Sequence, residues 1–363
     1  MKKVFACLLL FAVLLSVSGC ASETTPVTTA ETAETDPVPE ETTAVQETEA
    51  VSEEPMFFKV SSITCSLVGD SEDIYMGLIP REKLTWESED PNVISVENGV
   101  LTANSVGTTT IRASCEDRQL ECTASCLAEN EEELKGLPAD ILRKPRRVVP
   151  EVDLTTPCTF YDHAALVGDS ISYMLLQCEN QGNYLGNLLF LTRGGTSLNG
   201  FVHRFKNIYF QGAPMNLEDA IAASKVDRMY ILIGSNDLAC EPNRVSYLEN
   251  WDTMLKWIRE KSPEVEIVII SNIPQCDSAA ADRESSVETY NAFVKEYNGK
   301  MEQYCRENDC MYLDLCYYIE DHLGSMPADY NLDGYHMNDE GYMNWIKVMR
   351  FYAEYELAGG KIS

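Results

Sequence analysis

Apolar and polar positions fall into two patterns along this chain, and the change comes near residue 158. Beyond it, short apolar runs alternate with stretches whose apolar residues recur every three or four positions. The runs are Ala164–Val167, Leu188–Thr192, Met229–Ile233, Val265–Ser271 and Cys310–Leu315. Between them, Val245–Ile258 sets Leu248, Trp251, Leu255 and Ile258 on one face. Val287–Cys305 does the same with Tyr290, Phe293, Val294, Tyr297 and Met301, and a last segment with Tyr342, Trp345, Met349 and Tyr352. Short apolar runs read as buried strands, and a single apolar stripe reads as a helix lying on them. Five strands alternating with helices predict an α/β fold, a five-stranded parallel sheet covered on both sides.

Before residue 129 the period changes to two. Phe57–Cys65, Lys83–Trp86, Val93–Val96, Val100–Thr102, Thr108–Ala113 and Glu121–Cys126 read as short strands separated by turn signals, with Asn98-Gly99 as a hairpin turn. This predicts a small all-β domain over 56–128, with Trp86 as a packing residue. The stretch Leu84-Thr85-Trp86-Glu87-Ser88-Glu89-Asp90-Pro91, with Val93–Val96, Gly99–Ala103 and Gly107–Ile111 after it, resembles the bacterial Ig-like group 2 repeat. The resemblance implies a sandwich of the kind used as a spacer or adhesion unit on surface proteins. Residues 129–157 read as a connector, with the basic cluster Arg143, Lys144, Arg146 and Arg147 as a solvated strap.

The beginning of the chain carries a different signal. Lys2 and Lys3 precede an apolar run, Val4 to Leu15, too short for a permanent membrane span. Val17-Ser18-Gly19-Cys20 resembles a lipobox, so residues 1–20 are expected to be a lipoprotein signal peptide. By that resemblance Cys20 becomes the lipid-bearing N-terminus, and the protein is expected to be exported and anchored to the outer face of a bacterial membrane. Residues 21–55 are rich in Thr, Glu, Ala, Pro and Val without Lys or Arg, and are expected to form a disordered tether.

Composition narrows the function. The formal net charge is −30, which excludes nucleic acid as a partner, because binding phosphates requires a basic face. Setting aside Cys7 and Cys20, eleven of the 13 cysteines remain. An odd number cannot all pair internally; Cys305 and Cys310 are near enough in sequence to bridge. No Cys or His cluster has zinc spacing, so neither a metal nor a cofactor is expected.

The candidate chemistry sits where strands end, the edge at which parallel sheets bind ligands. Ser170 follows the first strand in Gly168-Asp169-Ser170-Ile171-Ser172. Gly194-Gly195 follow the second and Gly234-Ser235-Asn236-Asp237 the third. Asp333-Gly334-Tyr335-His336 lies beyond the fifth. A serine hydroxyl is a weak nucleophile until a base takes its proton, and His336 is the available base. Asp333, three residues earlier, can hold the imidazole tautomer. The Ser170 and Gly195 N–H groups and the Asn236 amide can stabilise an oxyanion. Asp169 and Asp237 read as loop-fixing carboxylates, and His163, His203 and His322 as bystanders.

These four blocks, in this order, resemble the SGNH hydrolases of the GDSL esterase/lipase superfamily, over about residues 158–357. The domain is accordingly set at 158–363. The resemblance implies a flavodoxin-like three-layer α/β/α fold, Ser170 as nucleophile, Gly195 and Asn236 as oxyanion donors, and the pair Asp333 and His336. The expected function is a surface-anchored serine esterase acting on an acyl ester, an uncharged short acyl ester on a glycan, such as an O-acetyl group, being the preferred class. Two other readings stand beside it: an adhesion or glycan-binding protein whose hydrolase-like domain does little chemistry, and an O-acyltransferase that excludes water.

Overall fold

The computed structural model describes residues 55–206, 208–278 and 286–362. The expected signal peptide, Cys20 and the tether up to residue 54 lie outside the described residues.

The first described elements are strands. They are β1 (Ser62–Leu67), β2 (Ser71–Asp73), β3 (Thr85–Ser88), β4 (Ile94–Glu97), β5 (Val100–Ala103), β6 (Gly107–Cys115), β7 (Arg118–Ala128) and β8 (Arg147–Val148). One sheet has the order β3-β6-β7-β1-β8 and a second the order β2-β5-β4. Alternation buries Ile111 and Ala113 of β6 and Cys122, Ala124 and Cys126 of β7. Asn98 and Gly99, at φ 51° and 82°, turn β4 into β5. Trp86 is half-buried and stacks on Phe58, with ring centroids 5.4 Å apart. Neither β2 nor β8 is signalled by apolar alternation, since both are short and carry charge. The resemblance of this stretch to an Ig-like repeat rests on the sequence motif alone.

The basic cluster after β7 is not the solvated strap expected of it. Two short helices, α1 (Glu131–Lys135) and α2 (Ala139–Leu142), lead into β8, which pairs antiparallel with β1. Arg147 is only 6% exposed. It pairs with Glu72 at 2.7 Å and Glu320 at 2.8 Å, and Arg146 reaches the same two carboxylates. Arg143 pairs with the buried Asp321 at 3.0 Å. Glu72 comes from β2 and Glu320 from far along the chain, so local sequence could not pair them. Removing one partner from such a buried cluster costs about 3–5 kcal/mol, because the charge left behind has no solvent.

The remaining elements alternate as expected. They are β9 (Ala164–Gly168), α3 (Ser170–Gly182), β10 (Leu189–Thr192), α4 (Leu198–Val202), β11 (Ile208–Phe210), β12 (Ala213–Met215), α5 (Leu217–Ser224) and β13 (Arg228–Leu232). Then follow α6 (Ser235–Leu238), α7 (Glu241–Val245), α8 (Tyr247–Lys261), β14 (Glu266–Ile270), α9 (Val287–Glu307), β15 (Met311–Leu313), α10 (Cys316–Ile319) and α11 (Asp339–Leu357). The central sheet is parallel throughout, with the order β10-β9-β13-β14-β15. Leu166, Tyr230, Leu232 and Val268 cluster with Leu175 of α3 and Trp345 and Met349 of α11. Their neighbours in sequence, Ala165, Val167, Met229, Ile231 and Ile267, cluster with Ile221 of α5, Trp251 and Leu255 of α8 and Met301 of α9. Each fully buried side chain of this size contributes about 1.5–3 kcal/mol. Two separate apolar clusters on opposite faces make a three-layer α/β/α core.

Of the stretch 207–212, read from sequence as a loop, residues 208–212 contribute to a hairpin. Strands β11 and β12 pair antiparallel around Gln211 and Gly212. Pro214 and two polar residues at the turn hide the alternation. The eleven cysteines among the described residues are free thiols, Cys305 and Cys310 included. Among those residues no helix is long and apolar enough to cross a membrane.

Candidate active site

Strand β9 delivers Ser170 to the edge of the sheet. Gly168 ends the strand, and a Cβ there would collide with the Ser172 side chain and the Leu232 carbonyl. Asp169 caps α3: its carboxylate accepts the Ile171 N–H at 2.9 Å and the Ser235 hydroxyl at 2.5 Å. Ser170 is therefore the first residue of a 13-residue helix, where unpaired N–H groups and the helix dipole favour negative charge.

The loop after β15 brings the base. His336 Nε2 lies 2.9 Å from Ser170 Oγ, and His336 Nδ1 lies 2.8 Å from Asp333 Oδ2. With Nδ1 donating to Asp333, Nε2 is left to accept the Ser170 proton. Asp333 Oδ1 also accepts the N–H groups of Tyr335 at 3.0 Å and His336 at 2.8 Å. Partial burial raises the Asp333 pKa, but these donors outweigh it and hold the carboxyl below its ordinary value. Asp333 therefore stays ionised beside the imidazole. The loop itself is tied down: Cys276 N–H donates to Gly334 O at 3.0 Å and Leu332 N–H to His336 O at 3.0 Å.

Two further loops close the site. After β10, Arg193 N–H donates to Gly168 O at 3.1 Å. A Cβ at Gly194 would lie 3.9 Å from that of Ser170, and Gly195 adopts φ +72°, open to solvent. After β13, the Asn236 amide donates to Thr196 O at 2.9 Å. Asp237 is fully buried and accepts the N–H groups of Leu198 at 2.8 Å and Asn199 at 2.9 Å. Burial pushes its pKa up to about 6 against the pull of those donors. Asp169 and Asp237 thus fasten the three loops together, as their loop-fixing reading requires.

The structure brings Ser170, His336 and Asp333 into one hydrogen-bonded chain and sets the Gly194-Gly195 and Asn236 loops against each other beside it. His163 is exposed, His203 Nδ1 meets Asn199 O at 2.8 Å, and the buried His322 meets Ser66 Oγ at 3.1 Å. None of the three joins the chain. Ser235 is the supporting residue that sequence reasoning missed. Its signal was its place between two motif residues, but only the fold points it at Asp169. Among the described residues no group of three or more His, Cys, Asp or Glu is placed to hold a metal.

Comparison with known proteins adds a family. Residues 166–343 match the GDSL-like Lipase/Acylhydrolase family. No curated protein matches the chain. Among solved structures, a candidate acylhydrolase from Bacteroides fragilis is similar at 15% identity, covering 56% of this chain and 92% of its own, with a TM-score of 0.44. A GDSL-like lipase from Bacteroides thetaiotaomicron is similar at 14% identity, covering 55% and 91%, with a TM-score of 0.43.

Proposed function

This chain carries an SGNH/GDSL-type serine hydrolase domain, and from that premise we propose an esterase with Ser170 as its nucleophile. The hydrogen-bonded chain Ser170–His336–Asp333, at 2.9 and 2.8 Å, carries the reading. Ser170 Oγ attacks the ester carbonyl while His336 Nε2 takes its proton. Asp333 keeps the imidazole oriented and offsets the charge that forms on it. The Ser170 and Gly195 N–H groups and the Asn236 amide receive the oxyanion. The tetrahedral intermediate collapses as His336 returns the proton to the departing alcohol. Water, deprotonated by the same nitrogen, then releases the acid from Ser170. An O-acetyl ester on a glycan is the substrate class we propose, supported by the export signal read in the first twenty residues.

The test is hydrolysis of 4-nitrophenyl acetate and of acetylated oligosaccharides by the native protein, Ser170→Ala and His336→Ala. Each substitution is expected to lower kcat by about 10⁴-fold or more, with Tm little changed. Turnover within tenfold of native in Ser170→Ala would reject the nucleophile.

A further inference from the structure

The chemistry above leaves one basic side chain at the site without a task. Arg193 is pinned to the end of β9 by its N–H bond to Gly168 O, and its neighbour Gly194 lies against Ser170. The Arg193 backbone is thus fixed next to the glycine that faces the nucleophile. Among the described residues its side chain makes no ion pair and no hydrogen bond, although Arg81, Arg112, Arg204, Arg228 and Arg306 each find a carboxylate. In a chain of net charge −30 carboxylates are abundant, so the vacancy beside the site is not for want of partners. Arg193 stands instead over the ring of Tyr209, 5.6 Å from its centroid. Tyr209 projects from the β11–β12 hairpin and is 64% exposed.

We infer that Arg193, steadied by Tyr209, recognises an anionic group on the ester substrate, a carboxylate carried close to the scissile bond. The inference rests on the esterase reading and narrows its substrate. A guanidinium offers two parallel N–H donors that match a carboxylate. Stacking on the tyrosine restricts the arginine before binding, which lowers the ordering cost of the contact. The overall negative charge repels anions at long range, so an acidic substrate needs a local cation at the point of reaction. The carboxylate can belong to the alcohol side, as in an acetylated uronic acid, or to the acyl side, as in a half-ester of a dicarboxylic acid.

Matched pairs separate these cases. One compares an acetylated methyl glucuronoside with the acetylated methyl glucoside, the other 4-nitrophenyl hemisuccinate with 4-nitrophenyl butyrate, with 4-nitrophenyl acetate as the neutral reference. The native protein is expected to favour the charged member of one pair in kcat/KM. Arg193→Gln is expected to lower that charged-to-neutral ratio by tenfold or more through KM, Arg193→Lys to restore part of it, and Tyr209→Ala to lower it a few-fold. Raised salt should narrow the native ratio and leave that of Arg193→Gln flat. If the native protein hydrolyses 4-nitrophenyl acetate yet prefers neither charged ester, or if Arg193→Gln leaves the ratio unmoved, the inference fails alone. If the native protein hydrolyses none of these esters, the esterase reading fails and takes the inference with it.

Discussion

Asn236 illustrates how one side chain divides its donors. Its amide nitrogen carries two N–H groups, and one is committed to Thr196 O at 2.9 Å. That bond holds the side chain in place and leaves the second N–H for the oxyanion role proposed for it. Because this donor acts mainly on charge that develops during reaction, losing it should fall on kcat more than on KM. Asn236→Ala is expected to lower kcat for 4-nitrophenyl acetate by about 10²–10³-fold. A change of less than threefold, measured on a protein with native Tm, would remove Asn236 from the oxyanion site.

At the scale of elements, the loops are held by buried titratable groups, and their protonation sets a pH dependence. His322, in the turn after α10, meets Ser66 of β1. Burial, with Arg146 and Arg147 nearby, pushes its pKa down from 6.5 to about 4. An unfolded chain therefore takes up this proton as pH falls through about 6.5, while the folded protein resists until about 4. Between those values the unfolded state binds more protons, so His322 makes stability fall as pH falls. Asp237 acts oppositely: its raised pKa makes the folded state bind more protons between its ordinary 3.8 and about 6. Comparing native protein with His322→Gln cancels the Asp237 effect. The drop in Tm from pH 6.5 to 4 is expected to be smaller in the variant. An equal drop in both would show that His322 titrates normally.

Across the whole molecule, the β strands and the parallel sheet are not independent bodies. Residues 52–363 form one unit. Phe58, Ile63, Ile74, Leu101 and Ile111 belong to the same apolar cluster as Tyr318, Trp345 and Phe351. Phe57 meets Phe351 and Tyr355 edge-on, with centroids 6.0 and 5.6 Å away, and the Tyr318 hydroxyl donates to Lys59 O at 3.1 Å. The buried Arg146, Arg147, Glu72 and Glu320 cluster locks the same seam. A shared core couples the unfolding of its parts. A protein spanning residues 55–363 is expected to melt in one transition, with far-UV circular dichroism and tryptophan fluorescence superimposing. Two resolved transitions would mean that the seam contributes little.

The sequence by itself determined the alternating strands and helices and the four motif blocks at strand ends. Both are local properties, fixed by apolar periodicity and by glycine, serine and asparagine at turns. It also marked Asp169 and Asp237 as loop-fixing carboxylates; Asp169 caps the helix it precedes, whereas the helix start that Asp237 holds, that of α4, was chosen by the fold. Tertiary structure alone decided what crosses between distant segments. It turned the basic cluster at 143–147 from a strap into a buried ion-pair seam, aimed Ser235 at Asp169, and made a hairpin of 208–215. It also set the Arg193 guanidinium over the Tyr209 ring. The physical reason is the same in each case: periodicity says which face of an element is buried, whereas the partner of a buried charge is chosen by whichever distant residue the fold brings to it.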